Sequence, residues 1–159
     1  MNKVAQVYRE SVALLSERIS RGERNPDALM AETRQRLTQR KDLTPEQVEE
    51  VLRAVRRDMG EFALSYEEAE SPGDSVFMRV IRESLWKELA DITDKSQLEW
   101  REIFQDLHHH GVYHSGEVVG LGNLVCEKCQ FERAIYTPEV LSRCPECGHD
   151  QFQRKPFEP

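Results

Sequence analysis

The chain has 159 residues, 38 % of them apolar and 32 % charged, with a formal net charge of −7. So few core-forming residues suit long helices that each bury one stripe, and no run approaches the ~18 consecutive apolar residues of a membrane span. The charge is uneven, 12 basic against 10 acidic in residues 1–60 but 5 against 12 in 61–114, and an acidic surface argues against generic nucleic-acid binding.

The N-terminus enters an amphipathic helix directly, without the apolar core of a signal peptide, which predicts a cytoplasmic location. Val4, Val7, Tyr8, Val12, Leu15 and Ile19 recur every three or four residues and predict a first helix over about 2–20, stopped by Gly22. Asn25-Pro26-Asp27 starts a second helix: Asn25 as N-cap, Pro26 at the first position, Asp27 at the positive helix end. Its stripe is Leu29, Met30, Thr33 and Leu37, and it runs to about Arg40. Thr44-Pro45-Glu46-Gln47 reads as a capping box, followed by Val48, Val51, Leu52, Val55, Met59, Phe62 and Tyr66. Gly60 lies inside that helix, at a propensity cost of ~1 kcal/mol. Ser71-Pro72-Gly73-Asp74 breaks the pattern, with Asp74 or Ser75 as the next cap. Phe77, Val80, Ile81, Leu85, Leu89 and Ile92 then form a stripe, with a kink or fresh cap expected near Thr93-Asp94. Leu98, Trp100, Ile103, Phe104 and Leu107 carry helix to His108-His109-His110-Gly111. Two long helices joined by a short turn predict an antiparallel hairpin over about 44–107, within an elongated helical domain of residues 1–110.

From Val112 the composition changes to turns and strands: glycines at 111, 116, 120 and 122 alternate with Val118, Val119, Leu121, Leu124 and Val125. Cys126-Glu-Lys-Cys129 and Cys144-Pro-Glu-Cys147-Gly148 follow, with fourteen residues between the pairs. Two residues between cysteines let a tight turn aim both sulfurs at one point, and two such knuckles complete the tetrahedron that Zn²⁺ accepts. In a reducing compartment, paired cysteines of this kind are metal ligands in preference to disulfides. Cys126, Cys129, Cys144 and Cys147 are therefore the candidate ligands of one structural zinc ion, although spacing alone also admits iron. A full thiolate shell leaves no open position for water or substrate, so no catalytic residue is assigned and the chain is read as a non-enzyme. Phe131–Tyr136 and Gln151–Arg154 have strand character. The fold expected is thus mainly α, followed by a small C-terminal β zinc ribbon over 112–159.

His108, His109, His110 and His114 cluster before the ribbon. Adjacent histidines point around a helix, so a solvated helix end is the simpler reading than a second metal site. His149, beside the last knuckle, is a candidate hydrogen-bonding partner of the metal shell. A helical domain followed by a four-cysteine knuckle pair invites comparison with rubrerythrin, but residues 1–107 contain no histidine and a di-iron bundle requires Glu-x-x-His motifs. The acidic turn Glu67-Glu68-Ala69-Glu70-Ser71-Pro72-Gly73-Asp74 beside a zinc module resembles, in architecture only, factors that enter the RNA polymerase secondary channel; a solvated loop is the simpler reading.

Asp74–Trp86, Ala90-Asp-Ile-Thr-Asp-Lys95, His109–Asn123 and Cys147-Gly-His-Asp-Gln-Phe-Gln-Arg154 together resemble the YbeL-like family of bacterial zinc-ribbon-containing proteins. The resemblance implies a cytoplasmic, helix-rich protein with a C-terminal ribbon and the four cysteines as ligands; it implies no activity. The expected function is a zinc-binding adaptor or regulatory module presenting its ribbon and helical hairpin to a macromolecular partner, most simply a protein. The alternatives are an RNA polymerase regulator acting through the acidic tip and an iron-bound, rubredoxin-like electron-transfer protein. The stretch Val112–Asn123 is expected to have a role at the surface.

Overall fold

Local capping chemistry sets the helix starts. In the structure, a computed structural model describing residues 3–23, 25–68, 76–81, 84–96 and 112–155, the Asn25 side chain accepts from the Asp27 and Ala28 amides. The Thr44 hydroxyl accepts from the Gln47 amide at 3.1 Å while Gln47 Oε1 accepts from the Thr44 amide at 2.9 Å. The capping box is formed as its sequence requires. Helices α1 (Lys3–Ser20), α2 (Pro26–Thr38), α3 (Pro45–Glu68), α4 (Val76–Ile81) and α5 (Trp86–Ser96) follow in order. None is long and apolar enough to cross a membrane.

The predicted stripes face inward. Val7, Tyr8, Val12, Leu15 and Ile19 of α1 are buried against Val48, Val51, Leu52, Val55, Met59 and Phe62 of α3 and Leu29 and Leu37 of α2. α1 packs on α2, α3 and α5, and α3 on α1 and α2. Aromatic rings link α3 to the later helices: Phe62 meets Phe77 edge-on with centroids 5.5 Å apart and stacks on Trp86 at 5.9 Å. Such pairs add ~0.5–1.5 kcal/mol each beyond the area they bury. The rest of the expected hairpin seam, Leu98 to Leu107, lies outside the described residues, as do the Asp74 and Ser75 caps.

One boundary moves. The break expected near Thr93-Asp94 falls instead between α4 and α5, at Ser84. There the Ser84 hydroxyl donates to the Ile81 carbonyl and accepts from the Trp86 amide, capping α5 afresh. Thr93 lies within α5, its hydroxyl bonded back to the Leu89 carbonyl at 2.8 Å, a bond that keeps a threonine inside a helix.

The C-terminal part is β. Strands β1 (Tyr113–His114), β3 (Gly122–Cys126), β4 (Glu132–Ile135) and β6 (Gln151–Arg154) form an antiparallel sheet in the order β1-β6-β3-β4, while β2 (Val118–Val119) pairs with β5 (Glu139–Val140). A small core of Tyr113, Val119, Leu124, Ile135, Leu141 and Phe152 lies with Cys126 and Cys144. Val118 and Leu121 belong instead to the helical core. Within Val112–Asn123, where a surface role is expected, Val112, His114 and Gly116 are exposed but the segment 118–121 is buried: its glycine permits close backbone approach, and its apolar residues fill two cores.

Candidate metal centre and the joint beneath it

Each cysteine pair sits on a turn that the chain closes with its own backbone. At the end of β3, the Gln130 amide donates to the Cys126 carbonyl at 3.0 Å and the Cys126 amide to the Phe131 carbonyl at 2.9 Å. The second turn repeats this: Gly148 donates to Cys144 O at 2.9 Å and Cys144 to His149 O at 2.9 Å. Both turns exit through a left-handed residue, Gln130 at φ 67° and Gly148 at φ 78°. Gly148 adopts that conformation freely, whereas a residue with a Cβ is strained there by ~1–2 kcal/mol.

The two turns bring all four sulfurs within 4.8 Å of one another, with Cys126 and Cys147 Sγ 3.5 Å apart and Cys129 and Cys144 Sγ 3.5 Å apart. A tetrahedral ion with metal–sulfur bonds of ~2.3 Å requires sulfurs roughly 3.8 Å apart, so the donor set and its spacing fit such an ion. Among the described residues no other cluster of three or more His, Cys, Asp or Glu could hold a metal.

The thiols are electrostatically unequal. Burial opposes ionisation of Cys126, but the amides of Cys129 and Lys128 outweigh it and bring the thiol down to about 6. Cys144 is lowered in the same way, burial being outweighed by the amides of Cys147 and Glu146. The Phe131 amide favours the Cys129 thiolate, yet burial and the neighbouring sulfurs prevail and push that thiol up to about 12. Each turn thus stabilises one thiolate through backbone amides, and a divalent cation would let the other two lose their protons.

The histidines take other places. His114 lies in β1, where its Nδ1 and its backbone amide both meet Glu117 Oε1, at 3.1 and 2.9 Å. His149 Nε2 stands 3.9 Å from Glu127 Oε2, and its carbonyl, not its ring, serves the knuckle through the Cys144 amide. His108, His109 and His110 lie outside the described residues. So does the acidic tip from Ala69 to Asp74, and the side chains of Glu67 and Glu68 are not described.

Directly beneath the ribbon lies a buried polar joint that the sequence reading missed. Asp58 of α3 is fully buried. It accepts from the Tyr8 hydroxyl at 2.5 Å, the Gly120 amide at 2.8 Å and Arg57 Nε at 2.8 Å. Arg57 reaches on to Glu117 Oε2 at 3.0 Å and the Val118 carbonyl at 2.9 Å, with its guanidinium 4.7 Å from the centroid of the Tyr113 ring. Burial disfavours the Arg57 charge, but Asp58 beside it more than compensates. Burial, reinforced by Asp58, holds Tyr8 and Tyr113 well above the ordinary phenol range. One turn further along α3, buried Glu61 pairs with Arg154 of β6, and Trp86 Nε1 donates to the Gly120 carbonyl at 2.8 Å. A Cβ on Gly120 would overlap the Tyr8 ring. The missed signal is a spacing: Asp58 follows Val55 by three residues and precedes Phe62 by four, so it falls on the apolar stripe, where an acid requires partners.

The zinc-ribbon containing domain family matches residues 14–156. The chain is also 71 % identical, over the full length of both, to the uncharacterised protein YbeL of Escherichia coli K12 and of the O6:H1 and O157:H7 strains. The chain belongs to the YbeL-like family. Family membership and the four-sulfur cluster together make this a metal-binding, zinc-ribbon chain. No solved structure matches it.

Proposed function

We propose that the protein is a non-enzymatic, cytoplasmic zinc-binding adaptor whose ribbon, held by one structural Zn²⁺ on Cys126, Cys129, Cys144 and Cys147, presents a surface to a protein partner. The observation that carries this reading is the convergence of four sulfurs on two amide-lined turns. Four protein ligands fill a tetrahedral shell, which suits scaffolding and leaves no position for a reacting water. Zinc supports the folding of a β unit whose own core is small.

A second observation favours the ribbon as the partner-facing part. Among the described residues the large exposed hydrophobics are Val112, Tyr136 and Val140, and all three lie in the C-terminal part. Exposed aromatic anchors are the groups that contribute most at protein interfaces.

Metal analysis of the purified protein tests the first half: one zinc per chain is expected, and stoichiometric iron with a red colour would overturn it. Affinity capture from cells, followed by mass spectrometry, tests the second. A partner retained by the native chain and lost from a Tyr136→Ala, Val140→Ser variant that still binds zinc is the expected result. Retention by that variant would move the interface elsewhere, and enrichment of RNA polymerase subunits would favour the acidic tip Glu67–Asp74.

A further inference from the structure

The cysteine centre and the helical core are connected by very short covalent leads, and residues 118–122 between them are buried. β3 runs from Gly122 to Cys126, so the first ligand follows the segment 118–121 without a loop. On the other side, β5 pairs Val140 with Val118 and Glu139 with Val119, the Leu141 amide donates to the Glu117 carbonyl at 2.8 Å, and the Gly116 amide to the Leu141 carbonyl at 2.7 Å. Three residues after Leu141 comes Cys144. Bringing the two cysteine turns together therefore closes the strands on either side of residues 117–121 and holds that segment in one register.

That register is what the helices read. Glu117 and the Val118 carbonyl face Arg57, the Gly120 amide faces Asp58, and the Gly120 carbonyl faces Trp86. Val118 and Leu121 enter the helical core while Val119 enters the ribbon core. If the ribbon loosens, buried Asp58 loses the Gly120 amide and Arg57 loses two acceptors. Buried polar groups left without partners are costly, so a segment out of register cannot stay docked, and release into water becomes the alternative.

We propose that the ribbon is a metal-conditional latch: zinc on the four cysteines docks residues 117–121 onto α1, α3 and α5, and loss of the metal releases them, uncovering Tyr8, Asp58 and Trp86. The inference rests on the metal reading above and adds a second conformational state, with a helical surface that is available only when zinc is scarce. Linkage requires the coupling to run both ways: a substitution that weakens docking must weaken zinc binding by the same factor.

Trp86 supplies the readout, since its indole is fully buried and bonded to the docking segment. In the full chain with Trp100→Phe, which leaves Trp86 as the remaining tryptophan, chelation should shift its emission to the red. The far-ultraviolet helical signal should be largely kept, and added Zn²⁺ should restore the emission. In parallel, Glu117→Gln and Gly120→Ala should weaken zinc binding in chelator competition, by about 5-fold and by tenfold or more, within the usual range of coupling between sites.

Unchanged Trp86 emission on chelation overturns the latch, and so does unchanged zinc affinity in both variants. Loss of the helical signal together with the emission shift also overturns it, because the metal would then be a folding requirement of the entire chain. A native chain that binds no zinc would sink the metal reading itself, whereas zinc bound without coupling sinks only the latch.

Discussion

The helical part and the joint to the ribbon are both buried, but they are buried by opposite means. Around Val12, Val51, Val55 and Phe62 the contacts are apolar and tolerant: each residue gains from leaving water, whichever neighbour it meets. Around Asp58 every group depends on a named partner: Tyr8, Arg57 and the Gly120 amide converge on one carboxylate. Apolar burial gives the molecule its stability, and the polar joint gives it a specific arrangement. Damage should accordingly be graded in the first region and abrupt in the second.

Four experiments grade that contrast. The largest effect is expected from Cys144→Ser, which removes one of four converging sulfurs: stoichiometric zinc should be lost in metal analysis, and backbone amides of β3 and β6 should lose their protection in hydrogen exchange. Protection in α3 around Arg57 and Asp58 should fall with them, whereas that near Val48 and Val51 should persist. Asp58→Ala comes next. It leaves the Tyr8 hydroxyl and the Gly120 amide without their acceptor and takes from half-buried Arg57 one of its two carboxylate partners; each buried donor left unsatisfied costs ~1–3 kcal/mol, and denaturant melts should show the sum. Gly120→Ala forces a Cβ into the Tyr8 ring, an overpacking expected to cost ~1–3 kcal/mol. A smaller residue at position 8 should recover part of that loss in a double-mutant cycle. The smallest effect has the opposite sign. A Cβ at Gly60 meets nothing within 4 Å, so Gly60→Ala should stabilise α3 by ~0.5–1 kcal/mol. Were Gly60→Ala to destabilise and Gly120→Ala to be neutral, the contrast between the two regions would fail.

The same contrast explains what could be read from the sequence. Caps and stripes are local: Asn25, the Thr44–Gln47 box and the spacing of the α1 residues each declare themselves within one or two turns, and the structure contains them all. The cysteine pairs are legible for the same reason, since two residues of spacing define a knuckle and the structure gathers all four sulfurs. Ser84 was not legible. No glycine or proline marks it, and the apolar spacing from Ile81 to Leu85 and Leu89 runs through it as a continuous helix would. The break is imposed by a distant demand, the seating of Trp86 between Phe62 and the Gly120 carbonyl. The joint was illegible for a related reason: its contacts between elements join residues 34 to 93 positions apart along the chain, from Trp86–Gly120 to Glu61–Arg154. Glycine-rich composition after Val112 reads as exposed turns, but at Gly120 the missing side chain makes room for a tyrosine.

The seating of Val118 and Leu121 in one core and Val119 in the other has a consequence for the history of such a chain. Val118, Val119 and Leu121 can exchange for others of similar size, because each core asks only for volume and apolarity. Length is another matter. One residue gained or lost between Glu117 and Leu121 would turn each following side chain toward the opposite core and carry the Gly120 amide away from Asp58. Insertions and deletions should therefore be purged from these five positions even where substitutions survive, so that the two parts can change their surfaces independently but are inherited as a single piece.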